Sequence, residues 1–173
     1  MEMTGELANG WLGPSFMPEQ ADIFLEPLLR GLAKSGRTLA DIDVQVGGSL
    51  EIDDDVERLI EARRPAMAFT LGGMGSAKTN FYNDAFKRAG YAEAAEAVQA
   101  LWVSGDKAAA IRAVPDEMVL KTNLIGTREM IVERIKAYAA AGVTTLRIST
   151  SGQNWRERTE TLAEATDLIH SIQ

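Results

Sequence analysis

The segment 43–52 is the feature that most limits the folds open to this sequence. Its apolar and small residues Val44, Val46, Gly48, Leu50 and Ile52 alternate with Asp43, Gln45, Gly47, Ser49 and Glu51. A period of two residues predicts a β-strand with one face toward a core. Shorter apolar segments at 11–12 and 144–149 predict further strands, with helical patterns between them. Strands separated by helices indicate βαβ units, so we expect an α/β fold with a parallel sheet.

Helical patterns cover most of the remaining chain. They lie at 1–9, 18–36, 56–64, 76–88, 92–103, 107–113, 116–121, 127–141 and 155–172. We expect Gly10 to end the first helix in a left-handed conformation, and Pro27 to kink or break the second. Asp53, Asp54 and Asp55 are expected to cap the third helix. The sequence thus indicates one domain over 1–173, with a helical insertion over 77–122.

Composition excludes several classes of function. A formal net charge of −7 argues against a nucleic-acid partner and against adsorption to anionic membranes. No cysteine is present among the 173 residues, which excludes disulfides, thiolate metal sites and cysteine catalysis. No apolar segment approaches the ~20 residues of a membrane span, and residues 1–10 do not resemble a signal peptide. We therefore expect a cytoplasmic protein.

A glycine cluster at 72–79 is the most suggestive motif. Its sequence, GGMGSAKT, nearly matches the phosphate-binding pattern G-x-x-x-x-G-K-[ST], but Ala77 replaces the second required glycine. Three interpretations stay open: a phosphate or nucleotide site that uses Lys78, a plain flexible turn, or a ligand-contacting loop at the mouth of a barrel. The last is favoured over the plain turn, and the nucleotide site is the least supported.

Aromatic and amide side chains follow this cluster at Asn80, Phe81, Tyr82 and Asn83. They could line a pocket for a planar ring. The alternative is that Phe81, Tyr82, Ala85 and Phe86 form one buried helical stripe, since their spacing is helical. For Phe86 the buried interpretation is favoured, and for Phe81 and Tyr82 the two are balanced.

Other chemistry-bearing residues give weaker signals. The single histidine, His170, lies near the end of the last helix, where a surface position is expected. Trp11 and Arg147 are strand residues that do not suit a plain core, and Arg147 could face either the helices or a barrel mouth. Lys78 and Lys121 could serve an anionic substrate or only contact water. No catalytic residue is identified, and no metal-ligand or serine–histidine–acid pattern is present.

Several segments resemble the luciferase-like monooxygenases, in particular their coenzyme F420-dependent branch. GELANGWL at 5–12 is similar to the G-E-x-A-D-G-W-L segment of that family, with Asn9 in place of the usual aspartate. LGGMGSAKTNFYN at 71–83 resembles the G-G-M-G-x-x-x-x-N-F-Y-N block of the F420-dependent branch. Segments at 90–99, 113–117, 124–126 and 141–146 resemble its helical insertion, closing helix and eighth strand.

The resemblance implies a (β/α)₈ TIM barrel in which the bound deazaflavin F420, or FMN as the alternative, exchanges a hydride with a small organic substrate. It implies coenzyme contacts at a set of six residues, Gly72, Gly73, Met74, Gly75, Asn80 and Tyr82. Such a barrel has about 250 residues, and this chain corresponds to strands six to eight. We therefore expect the C-terminal portion of a barrel, with weak or no coenzyme binding alone. It would be completed by an N-terminal half or a second copy, or else act as a non-enzymatic assembly module.

Overall fold

The computed structural model describes residues 1–76, 78–150, 152 and 154–172. The strands in this part are β1 (Gly10–Gly13), β2 (Asp43–Ile52), β3 (Leu124–Gly126) and β4 (Thr145–Thr150). The α-helices in this part are α1 (Glu2–Leu7), α2 (Asp22–Lys34), α3 (Val56–Gly72), α4 (Phe81–Phe86), α5 (Ala92–Val103), α6 (Lys107–Arg112), α7 (Asp116–Lys121), α8 (Arg128–Ala140) and α9 (Trp155–His170). Short 3-10 helices lie at Pro18–Gln20 and Leu39–Asp41, and a π-helical turn lies at Lys87–Tyr91.

The chain divides into two compact units. The first, which we call the sheet unit, comprises Met1–Asp54 and Thr122–Gln173. The second, the helical unit, is Asp55–Lys121. The helical unit begins earlier than the insertion expected over 77–122, and both that insertion and the single domain over 1–173 stay predictions.

The sheet is built around β2, and its pairings are all parallel. Gln45 pairs with Leu12 of β1 and Thr145 of β4, so β1 and β4 lie on opposite edges of β2. Leu50 pairs with Leu124 of β3 and Thr150 of β4, so β3 shares the edge of β1. The α/β architecture and parallel sheet expected from the sequence are therefore confirmed.

One face of β2 carries the core of the sheet unit. Val44, Val46 and Leu50 are at most 1% exposed. A cluster of aromatic rings extends this core from β1 through the following loop and α2 to α8. It consists of Trp11, Phe16, Phe24 and Tyr138, with ring centroids 5.3 to 6.2 Å apart. Burying each such ring contributes roughly 1.5–3 kcal/mol. Trp11 is therefore a core residue, although its residue type did not suit a plain core.

Two glycines let β2 approach its neighbours closely. A Cβ atom at Gly47 would lie 1.7 Å from the carbonyl oxygen of Arg147 on β4. At Gly48 it would lie 2.7 Å from the carbonyl oxygen of Thr122, on the edge occupied by β3. No real Cβ atom tolerates such distances, so the middle of β2 admits only glycine at Gly47 and strongly favours it at Gly48.

The expected end of the first helix is wrong. Helix α1 ends at Leu7 and Ala8 is extended, because Gly10 pairs with Asp43 as the first residue of β1 and does not adopt a left-handed conformation. Pro27 does not break α2 into two helices, since α2 continues to Lys34; a kink there stays a prediction. The cap by Asp55 is confirmed, since its side chain accepts a hydrogen bond from the backbone N–H of Arg58.

The helical unit packs its helices around α3, which continues through Pro65 and includes the apolar segment 66–71. Its buried side chains come from α3 to α7 and from the segments between these helices. They include Leu59, Ile60, Met67, Leu71, Phe86, Val98, Met118 and Val119. In the described part of the chain, no helix is long and apolar enough to span a membrane.

Candidate functional site

The predicted glycine loop joins α3 to α4 inside the helical unit. Gly72 is the last residue of α3, and the backbone N–H groups of Gly73 and Met74 both donate to the carbonyl oxygen of Phe69. A Cβ atom at Gly72 would lie 2.4 Å from the side chain of Trp102, and one at Gly73 would lie 2.6 Å from Phe69. Both glycines are therefore required for packing within the unit, whether or not a ligand binds.

The turn after this loop uses its own backbone groups. Gly75 has a φ of +92°, which favours glycine. The hydroxyl oxygen of Ser76 accepts hydrogen bonds from the N–H groups of Lys78 (3.3 Å) and Thr79 (3.1 Å). A phosphate-binding loop instead leaves its N–H groups converging on the ligand, between a strand and a helix. Because α3 precedes this loop and Ser76 occupies these donors, the geometry does not support the phosphate interpretation; Ala77 lies outside the described residues.

Asn80 is a structural residue in this arrangement. It is 3% exposed, and its amide nitrogen donates to the carbonyl oxygens of Thr70 (3.2 Å) and Leu71 (2.9 Å). Its side-chain oxygen accepts from the N–H groups of Tyr82 and Asn83, both at 3.1 Å. This cap explains why α4 begins at Phe81 and not at the predicted residue 76.

Asn83, three residues later, is also a structural residue. Its amide nitrogen donates to the carbonyl oxygens of Leu71 (2.9 Å) and Ala95 (2.8 Å), and the side chain is fully buried. Its amide oxygen is buried and, among the described residues, has no hydrogen-bond partner. We call Asn80 and Asn83 the amide clamp, because together they hold the end of α3 against α4 and α5.

The aromatic residues beside the clamp differ in exposure. Phe86 is buried, as the helical spacing predicted. Tyr82 is half-buried and Phe81 is 56% exposed, with their rings in edge contact at 5.7 Å. Of the six predicted coenzyme residues, only Met74 and Tyr82 thus present side chains that are accessible and not required by the packing just described. Gly75 is exposed, but a Cβ atom there would lie 2.4 Å from the carbonyl oxygen of Thr79.

In the sheet unit, the carboxyl ends of the parallel strands meet at one edge. Ligands of open and closed α/β sheets bind at this edge. Helices α8 and α9 begin after β3 and β4, and their first N–H groups are capped by the side chains of Thr127 and Asn154. The carboxyl edge of the sheet unit is therefore the second place where a ligand is expected.

Arg147 lies on the sheet face opposite the core. It pairs with Gly47, and the paired residues of parallel strands point to the same side, away from buried Val46. The side chain is exposed, and none of the described residues forms a hydrogen bond or an ion pair with it. Of the two orientations left open by the sequence, the structure therefore excludes the helix layer. We call the face around it the polar face because Gln45, Ser49, Glu51 and Ser149 also lie on it; Leu12 and Ile125 are apolar residues on the same side.

The remaining candidates do not form a catalytic cluster. His170 is exposed at the end of α9, as expected. Lys121 forms an ion pair with Glu117 on α7. That contact is the largest cause that raises the pKa of the lysine and lowers the pKa of the carboxyl group. Among the described residues, no group of three or more histidine, cysteine, aspartate or glutamate side chains could hold a metal ion.

Comparison with known proteins identifies relatives along most of the chain. A family model described as luciferase-like monooxygenase matches residues 1–145. A Mycobacterium tuberculosis protein named as a coenzyme F420-dependent oxidoreductase is 30% identical over 149 residues, 85% of this chain and 43% of the relative. The 5,10-methylenetetrahydromethanopterin reductase of Archaeoglobus fulgidus is 27% identical over 83% of this chain and 43% of its own length.

Two solved structures are also similar to this chain. The coenzyme F420-dependent tetrahydromethanopterin reductase of Methanopyrus kandleri superimposes with a TM-score of 0.73 at 25% identity, over 99% of this chain and 48% of the reductase. An F420-dependent secondary alcohol dehydrogenase has a TM-score of 0.64 at 11% identity over 99% of this chain, which shows the shared fold alone. The chain spans less than half the length of these relatives.

Proposed function

Because the chain belongs to the luciferase-like monooxygenase family, we propose that it serves in hydride transfer between coenzyme F420 and a small organic substrate. The observation that carries this proposal is the match, along 85% of the chain, to a protein named as a coenzyme F420-dependent oxidoreductase. F420 is preferred over FMN because the M. tuberculosis relative and the M. kandleri reductase are both named as F420-dependent. The bound deazaflavin supplies the hydride chemistry itself, and the protein binds, orients and shields it.

The residues present fit a planar coenzyme in part. In the helical unit, Met74, Gly75 and Tyr82 offer a thioether, an open backbone and a phenol, which suit the edge or face of a ring. Gly72, Gly73 and Asn80 act indirectly in this proposal, because their packing and hydrogen bonds fix the loop that carries the contacts.

The open face of the sheet supports the further proposal that the chain alone binds the coenzyme only weakly. The relatives are more than twice as long as the segment matched here, and the polar face of the sheet is open to solvent. An open site loses the exclusion of water that strengthens electrostatic contacts. We further propose a cytoplasmic location, supported by the absence of cysteine.

Titration of F420 with the protein, followed by the fluorescence of the coenzyme, tests this function. We expect quenching only at high protein concentration, less with FMN, and none with ATP measured by competition. Tyr82→Ala should weaken F420 binding by about tenfold, the loss of one good ring contact. Lys78→Ala, a change on the same exposed turn, is the matched control and should leave binding unchanged. Tighter binding of FMN or ATP than of F420 would contradict the proposal.

A further inference from the structure

A cavity of about 540 Å³ lies between α2 and α8 in the sheet unit. The 3-10 helix Pro18–Gln20 and the first turn of α2 form one wall, and the end of α8 with the turn after it forms the other. The second wall carries only small residues, Ala137, Ala140, Ala141 and Gly142. Protein interiors contain few voids larger than a water molecule, whereas this volume lies in the range of small-molecule sites.

Arg134 and Glu19 form the polar end of this cavity. Glu19 lines it, and its carboxylate accepts a hydrogen bond from Nη1 of Arg134. The guanidinium group lies over the ring of Tyr138, with 5.8 Å between Cζ and the ring centroid. The arginine side chain is 13% exposed, and its Nη2 atom is buried and has no hydrogen-bond partner among the described residues. Because a buried donor without an acceptor is costly, this end of the cavity favours a ligand that brings an acceptor.

The other end of the cavity is apolar. Leu25 and Leu39 line it beside the small residues of α8. Gly142 has a φ of +83°, and a Cβ atom there would lie 2.7 Å from Cδ2 of Leu39, so this glycine allows the leucine to pack against the end of α8. Helix α8 rises roughly 9 Å between Arg134 and Ala140. The cavity is therefore elongated, with one polar and one apolar end.

We propose that this cavity binds a neutral aliphatic alcohol, with its hydroxyl group at Arg134 and its chain along α8 toward Leu39. The hydroxyl oxygen accepts a hydrogen bond from Nη2 of Arg134, and the hydroxyl hydrogen is donated to the carboxylate of Glu19 or of Asp22, which also lines the cavity. These two carboxylates repel an anionic head group, and an alkylammonium group offers no acceptor to Nη2. A hydroxyl group is therefore the head group that complements the charges of the cavity.

The proposal does not depend on the function proposed above. The cavity lies beside the helices that contribute to the aromatic core, whereas the polar face is on the opposite side of the sheet. Leu39 and Gly142 come before β2 and β4, so the apolar end lies toward the amino ends of the strands and away from the carboxyl edge. The segment 72–83 belongs to the helical unit. The alcohol site is thus separate from both places where a coenzyme is expected.

Calorimetric titration with 1-octanol tests the proposal, and the NMR signals of the alanine methyl groups locate the ligand. We expect one molecule to bind per chain, with changes at Ala137, Ala140 and Ala141. 1-Hexanol should bind about tenfold more weakly, because two fewer CH₂ groups are buried. Octanoate and octylammonium should each bind at least tenfold more weakly than 1-octanol, because neither head group complements both Arg134 and the carboxylates.

Substitutions on α8 show whether the alcohol occupies this cavity. Ala137→Leu fills the space and should weaken 1-octanol binding at least tenfold. Ala139→Leu, at an exposed position of the same helix that does not line the cavity, is the matched control and should leave binding unchanged. Arg134→Met keeps a long side chain but removes the donor, so it should weaken binding about tenfold. Urea unfolding of each variant verifies that it folds.

Three results would overturn the proposal. Octanoate or octylammonium that binds more tightly than 1-octanol contradicts the assignment of a hydroxyl head group. An affinity for 1-octanol that is the same in Ala137→Leu as in the unchanged protein shows that the alcohol binds elsewhere. If 1-octanol does not bind up to its solubility limit, the cavity holds only ordered water, which then satisfies Arg134.

Discussion

The two units differ in how far their polar groups are already used in hydrogen bonds within the fold. In the helical unit, most polar groups of the motif at 72–83 already form hydrogen bonds within the protein. Asn80 uses its amide in four hydrogen bonds, and Ser76 caps the turn that follows the glycines. In the sheet unit, an ordinary strand carries an exposed arginine without a partner, and both sheet edges are unpaired in the described part.

This difference shows that a conspicuous sequence motif and a free binding surface are separate properties. A side chain can contact a ligand only with groups that the fold has not already used. The amide clamp is therefore a structural device, while Arg147 and the sheet edges have groups that the fold has not used. The predictions below test whether each unit behaves as this comparison requires.

The largest effect is expected in β2 of the sheet unit. Gly47→Val places a side chain 1.7 Å from the carbonyl oxygen of Arg147, so β4 must separate from β2. We expect a loss of about 4 kcal/mol in the free energy of unfolding, at the upper end of overpacking effects. Urea unfolding measures it. The control Gly36→Ala, at a φ of +71° with no atom within 4 Å of the added Cβ, should cost only about 1 kcal/mol.

A smaller loss is expected at the amide clamp of the helical unit. Asn83→Leu leaves the buried carbonyl oxygens of Leu71 and Ala95 without this donor, which should cost about 3 kcal/mol. Asp84→Asn, an exposed change on the same helix, should alter stability by less than about 0.5 kcal/mol. If Asn83→Leu is as mild as Asp84→Asn in thermal unfolding, the clamp is not structural, and the residue is free to serve a ligand.

How far the sequence could predict these features differs between the units. The period-two pattern at 43–52 correctly predicts β2, because alternate burial leaves a direct trace in the residue types. The boundary of α4 is missed because it depends on Asn80 reaching back to Thr70 and Leu71, a contact that α3 must first position. The same dependence on tertiary contacts hides the packing of Gly72 against Trp102 and the strand pairing of Gly10.

The sequence could locate the candidate site to a segment of the chain, but not to individual residues. The block 71–83 indicates the family by resemblance, but its letters do not distinguish residues that contact a ligand from residues that hold the loop. The orientation of Arg147 could not be predicted either, because its neighbours Leu146 and Ile148 are apolar and half-buried. The register with Gly47 was needed to decide it.

A third prediction uses the aromatic core of the sheet unit. Burial raises the pKa of Tyr138 to about 12 from 10.0, because the phenolate cannot be solvated there. The unfolded chain therefore releases this proton first as the pH rises above 10. Stability should fall by about 2 kcal/mol between pH 10 and pH 12. Tyr138→Phe should remove this part of the slope in urea unfolding at each pH. An unchanged slope in the variant would show that other groups cause it.

The smallest effect is expected at α1 of the sheet unit. Hydrogen bonds and charge from Lys34 and Arg30, each 2.8 Å away, lower the pKa of Glu2 from 4.5 to about 2. Its stabilising contribution is therefore present above pH 4.5 and is lost as the pH falls through about 2. Because the groups are exposed, the difference in unfolding midpoint between the protein and Glu2→Gln should be small and weaken with salt. Glu6→Gln, on the same helix, serves as the control.

Should Glu2→Gln leave both the midpoint and the hydrogen exchange of α1 unchanged at pH 5, then α1 is held by the close approach of Gly5 to Leu28 and of Gly31 to Glu2.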